Sequence, residues 1–140
     1  MLPTPLRKLC VLLALAPMIA ACENGATAYM IEGSQHALIL VREQPYFWDG
    51  AVKQALIASR LPNCQRRVDI HPDRTDFTPM EVYEAGDRLW GVRQGKRWYL
   101  VSTEKCVVQD WDNAGGALPG PAVGVFRVKD GVATFVPAGQ

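Results

Sequence analysis

The chain is poor in the side chains that most enzymes rely on. Its 140 residues hold two histidines, His36 and His71, and three serines, Ser34, Ser59 and Ser102. No serine lies in a Gly-x-Ser-x-Gly elbow or a Ser-x-x-Lys arrangement, and a hydroxyl without a paired base is a weak nucleophile. Acyl transfer is not expected. Glu81 and Glu84 stand at a spacing that points them to opposite sides of a strand, and Asp110 and Asp112 lie in a Gly-rich stretch, so neither pair suits glycosidic hydrolysis. A surplus of one charge is missing as well. With 15 Lys and Arg against 14 Asp and Glu, there is no basic footprint for nucleic acid. The small groups Arg66-Arg67 and Arg93, Lys96, Arg97 read as solvated strand and turn faces.

A membrane-spanning run is also lacking. From Leu9 to Cys22 the chain is apolar for only fourteen residues, whereas a helix crossing the bilayer core needs about twenty. Preceded by Arg7 and Lys8, this stretch reads as an export signal. It ends in Ile19-Ala20-Ala21-Cys22, an aliphatic residue and two small ones before a cysteine, which resembles the lipobox of bacterial lipoproteins. The resemblance covers the first twenty-two residues. It implies removal of residues 1–21 as a signal peptide and a diacylglycerol on the Cys22 sulfur, with palmitate among its acyl chains. Two chains suffice for stable anchoring. In enterobacterial sorting an Asp after that cysteine retains a lipoprotein in the inner membrane. Glu23 stands there instead, which implies the outer membrane, on its periplasmic face. Beyond the lipobox the chain resembles small proteobacterial lipoproteins, a likeness that rests on no further motif and carries no activity.

On this reading Cys10 leaves with the signal, Cys22 carries lipid, and Cys64 and Cys106 remain in an oxidising compartment. One pair has one connectivity, so a Cys64–Cys106 disulfide is expected. Residues 22–28, CENGATA, are small and polar and read as a lipidated tether, which leaves 29–140 as a single globular domain.

His36–Arg42 is apolar on both alternating faces, the mark of a strand buried on both sides, with Tyr29–Glu32 a weaker strand before it. Asp49 is a fitting helix cap, and Val52, Ala55, Leu56 and Ser59 recur at spacings of three and four. This predicts a packed helix near 50–61, ended by Pro62. Cys64–Ile70 alternates as a strand, 72–78 reads as a polar loop, and Met80–Glu84 follows. Two hairpins stand out, Arg88–Thr103 around Gln94-Gly95 and Val123–Val136 around Asp130-Gly131. The expected fold is α+β, an antiparallel β-sheet of six or seven short strands carrying that helix, with a helix-free small all-β barrel as the alternative.

Of the aromatic residues Tyr46, Phe47, Trp48, Trp90, Trp98, Tyr99 and Trp111, most are expected in the core. Trp111 is different. Between Asp110 and Asp112, at the head of the Gly- and Pro-rich stretch 110–121, it reads as an exposed anchor, so these three residues are the candidate partner contact. The function expected is a membrane-anchored envelope lipoprotein that binds a protein, glycan or lipid, needs no cofactor and catalyses nothing. The alternative is a small envelope enzyme or metal-binding protein built on Asp69, His71 and Asp73.

Overall fold

The computed structural model describes residues 24–139, so the expectations for the signal peptide and for Cys22 lie outside the described residues. Ten strands follow one another: β1 (Asn24–Glu32), β2 (His36–Glu43), β3 (Ala51–Arg60), β4 (Cys64–Arg74), β5 (Met80–Gly86), β6 (Leu89–Gln94), β7 (Arg97–Ser102), β8 (Val107–Trp111), β9 (Ala122–Lys129) and β10 (Val132–Pro137). They form two antiparallel sheets, one in the order β1-β2-β3-β4 and one in the order β10-β9-β5-β6-β7-β8. None of the described residues is helical. The α+β expectation is therefore overturned, and the helix-free alternative fits better, as two facing sheets.

The helix near 50–61 is strand β3, paired on one side with β2 and on the other with β4. Its three-and-four spacing has a different origin. Val52, Gln54, Leu56 and Ala58 occupy one face of the strand, while Ala55 and Ser59 are buried on the other. A strand covered on both faces loses the alternation by which a strand is recognised. The capping signal was real but is used otherwise, since the Asp49 carboxylate accepts the N–H of Ala51 at 3.1 Å in an Asx turn that leads into β3.

The first sheet starts earlier than composition suggests. Residues 24–28 of the expected tether belong to β1 and pair with β2, from Asn24 opposite Glu43 to Ala28 opposite Ile39. Both anticipated hairpins are present, the first turning at Gly95-Lys96 and not at Gln94-Gly95, since Gln94 still pairs with Arg97. At the β9–β10 turn Asp130 and Gly131 both take positive φ, 52° and 77°, the conformation of a two-residue turn matched to strand twist.

Register explains the core. On the inner face of the first sheet His36 lies opposite Arg60, Leu38 opposite Ala58, Leu40 opposite Leu56, and Arg42 opposite Gln54. The apolar middle of this row packs on Met80, Val82, Trp90, Val92, Tyr99, Val101 and Phe126 of the second sheet. Its two ends are polar, with His36, Arg42 and Gln54 buried and Arg60 half-buried.

At the first end Thr103, fully buried, is the hub. It shares a 2.7 Å hydrogen bond with the His36 ring and accepts the Arg60 guanidinium through its carbonyl at 2.8 Å. The disulfide Cys64–Cys106 lies beside it, with Cα atoms 5.9 Å apart, and ties the first sheet to the second. At the other end Arg42 donates to Gln54 at 2.9 Å, to Asp73 at 2.7 Å and to the Arg74 carbonyl at 2.7 Å. Gln54 and Gln94 complete that end by a reciprocal pair of amide hydrogen bonds between the sheets, 2.8 and 3.1 Å.

The Gly- and Pro-rich stretch after β8 has a topological task. In the order of the second sheet β8 and β9 are separated by β7, β6 and β5, so the chain must cross all three. It does so over the outer face, and the Glu84 N–H donates to the Pro121 carbonyl at 3.0 Å where it arrives.

Candidate functional site

Trp111 is placed by this crossover. It is the last residue of β8, opposite Trp98 in β7, and the two indoles meet edge to face with centroids 5.3 Å apart. Gly91, two strands away in β6, makes room for the ring and for the crossover, because a Cβ there would stand 3.1 Å from the Trp111 ring and 2.8 Å from Pro119. The residue is half-buried. Its apolar neighbours come from adjacent strands, so a search along the sequence misses them. Asp110 and Asp112 are exposed beside it. With Arg97, Trp98 and Tyr99 the three residues line a depression of about 330 Å³. A strip of stacked groups continues under the crossover: Arg93 lies 5.4 Å over Trp98, Tyr83 packs against Trp98 at 5.7 Å, and Glu81 accepts from both Arg93 and the Tyr83 hydroxyl. Burial alone would raise the pKa of Glu81, but the Tyr83 and Arg93 hydrogen bonds outweigh it and hold the carboxyl below the ordinary range.

Asp69, His71 and Asp73 lie on β4 and do not converge. Asp69 is exposed, and its carboxylate sits 3.9 Å from Arg67. His71 is exposed, with its backbone N–H donated to the Tyr99 hydroxyl at 3.2 Å. Asp73 turns inward to Arg42, helped by an extra residue in β4, where the three steps from Ile70 to Asp73 face only two on β3, from Gln54 to Val52. Its carboxylate also accepts the N–H of Thr78 at 2.9 Å and the Thr78 hydroxyl at 2.8 Å. Burial works to raise its pKa, yet the Thr78 and Arg42 hydrogen bonds outweigh this and hold it low. Among the described residues no group of three or more His, Cys, Asp or Glu could hold a metal ion.

The largest departure from the sequence reading is the connection between β2 and β3. Tyr46, Phe47 and Trp48, of the aromatic set expected mostly in the core, are 53, 64 and 71% exposed. They stack on one another, Tyr46 with Trp48 and Phe47 with Trp48, both at 5.0 Å between centroids. The loop beneath them is firmly held. Gln44 is buried, and its amide donates to the carbonyls of Tyr46 at 3.2 Å and Asp49 at 2.9 Å. The Asp49 N–H closes a turn on the Tyr46 carbonyl, and the Thr75 N–H donates to the Gly50 carbonyl at 3.1 Å. The flanking Pro45 and Asp49-Gly50 are turn residues. They were the available sign that this aromatic run is a loop.

No family model, no curated protein sequence and no solved structure matches the chain.

Proposed function

We propose that the chain serves the bacterial envelope as a lipid-anchored protein that acts by binding and not by catalysis. The observation that carries the reading is the sequence Ile19-Ala20-Ala21-Cys22 at the end of a short apolar run, with a β-domain whose first strand begins two residues later, at Asn24. The disulfide Cys64–Cys106 is in keeping with an oxidising compartment such as the periplasm. On the binding side, three buried or half-buried polar groups hold the fold together: His36 with Thr103, Asp73 with Arg42 and Thr78, Glu81 with Arg93 and Tyr83. The depression at Asp110, Trp111 and Asp112 offers an aromatic face beside hydrogen-bonding groups to an envelope partner, and Glu23 favours the outer membrane as the site of anchoring.

Metabolic labelling with palmitate tests the anchor. Label should enter the wild-type chain and not Cys22→Ser, and the mature mass should show loss of residues 1–21 with gain of diacylglycerol. An unlabelled chain that fractionates with the cytosol would overturn the reading. For the contact, Asp110→Ala/Asp112→Ala should lose in-cell crosslinks from the 110–112 segment while denaturation stays unchanged; crosslinks that persist in full would move the contact elsewhere.

A further inference from the structure

Of the eight large apolar side chains exposed among the described residues, five gather at one end of the molecule. Tyr46, Phe47 and Trp48 crown the β2–β3 loop, and Val128 and Val132 flank the tip of the β9–β10 hairpin. The two features are joined by a depression of about 580 Å³, lined by the start of β1 from Asn24 to Thr27 together with Arg42, Thr75, Val128 and Val132. Thr75 is bonded to Gly50 at the foot of the aromatic loop. The chain therefore enters the domain at this same end, because Asn24 pairs with Glu43, the last residue of β2 before the loop.

Chain length fixes how far the anchor can be. Two residues span at most about 7 Å, so the Cys22 Cα lies within that distance of Asn24. Any lipid carried on Cys22 holds this end, and no other, against the bilayer. Tyr and Trp favour the boundary between headgroups and acyl chains, where an apolar ring body and a polar edge are both accommodated. The loop presenting them is pre-shaped by Gln44, so little ordering remains to be done on contact. Charges around it are mixed, Asp49 and Asp130 with Arg74 and Lys129, which gives no reason to depend on anionic lipid.

We infer that this is the membrane-facing end of the protein: Tyr46, Phe47 and Trp48, with Val128 and Val132 beside them, enter the headgroup region of the bilayer that holds the Cys22 lipid. The inference rests on the lipid-anchor reading and adds an orientation to it. The domain is seated on the bilayer by its aromatic loop and does not swing freely on its acyl chains, and the far end, with Leu61 and the disulfide, points away.

The test uses the full chain, processed in cells, purified and reconstituted into vesicles of phosphatidylethanolamine and phosphatidylglycerol with and without bromine on the acyl chains. The emission difference between wild type and Trp48→Ser isolates Trp48. That component should be lost in brominated vesicles and kept in plain ones, at low and high salt alike. In the Trp48→Ser background, Val132→Trp should gain a quenched component, whereas Leu61→Trp should gain an unquenched one. A Trp48 component untouched by bromine in a lipidated, vesicle-bound protein overturns the inference and leaves the anchor intact. So does equal quenching at positions 48 and 61. A Trp48 shielded from bromine in a sedimenting dimer hands the loop to a second copy and overturns it equally. Failure of palmitate to enter the chain is a separate result and removes the anchor; adding brominated vesicles to that unlipidated chain then decides the loop alone, with binding and quenching upholding its membrane contact and no binding refuting it.

Discussion

The two ends of the inward-facing row on β2 and β3 solve one problem in different ways. Each must close the space between two sheets where apolar side chains give out. At the His36 end closure is covalent and local: one disulfide, one buried threonine, and the His36 ring and Arg60 guanidinium that reach it. At the Arg42 end it is non-covalent and dispersed, made of hydrogen bonds spread over Arg42, Gln54, Asp73, Thr78 and Gln94, with the Arg42–Asp73 ion pair and the Arg42 guanidinium stacked 4.1 Å over the Phe77 ring. A buried ion pair is costly to desolvate and adds little net stability, but it is very sensitive to the loss of one partner. The Arg42 end is thus the more fragile of the two, and it is the end that bears the exposed aromatic loop.

The largest effect that would break this contrast is expected from Arg42→Met. It leaves the Asp73 carboxylate, only 11% exposed, without its cation, and breaking such a pair costs about 3–5 kcal/mol; chemical denaturation measures it. A loss below 1 kcal/mol would mean that water replaces the guanidinium. Removing the other closure, by Cys64→Ala/Cys106→Ala, frees a loop spanning a separation of 42 residues and should cost up to about 4 kcal/mol in the chain-entropy model. Hydrogen exchange should then rise around Thr103 and leave Gln94 protected.

Acid should separate the ends in sequence. Burial holds the His36 pKa below its ordinary value, with Arg88 and Arg60 adding to this and Glu32 opposing it. The unfolded chain therefore takes up the proton first. Stability is full above the unfolded histidine value of about 6.5 and declines as pH falls through it toward the folded value. Asp73 and Glu81 have lowered pKa values, so their contribution is intact above the unfolded carboxylate range, about 4, and is lost only as pH falls further. His36→Gln should flatten the first decline in a pH series of denaturation midpoints and leave the second. The smallest effect is expected from Gln44→Ala, about 1 kcal/mol for two hydrogen bonds to backbone carbonyls, with faster amide exchange confined to residues 46–50.

Where the sequence was legible, the signal was local. Asp130-Gly131 marks its hairpin by the backbone conformation it accepts, the two-sided apolar run of β2 identifies an interior strand, and Cys64 with Cys106 leaves one pairing. Where it was not, distant residues decided the outcome. In β3 the helical spacing arises because both faces are covered, and only pairing with β2 and β4 chooses strand over helix. Arg42, Gln54 and Gln94 give no sign of their role, because nothing nearby in the chain reveals that they join in one network across two sheets. Trp111 looked exposed because its partners Trp98 and Gly91 are brought by strand register, and Tyr46-Phe47-Trp48 looked buried because hydropathy does not know which turns face solvent.

The seam between the sheets has a consequence for how the protein is made. Tyr29 of the first strand packs on Phe135 of the last, with centroids 4.6 Å apart, and the start of β1 borders the start of β10. Neighbouring hairpins can form as the chain emerges, but this contact joins the first strand to the last and must close the long stretch between them. Tyr29 thus stays uncovered until β10 has been made and has paired with β9.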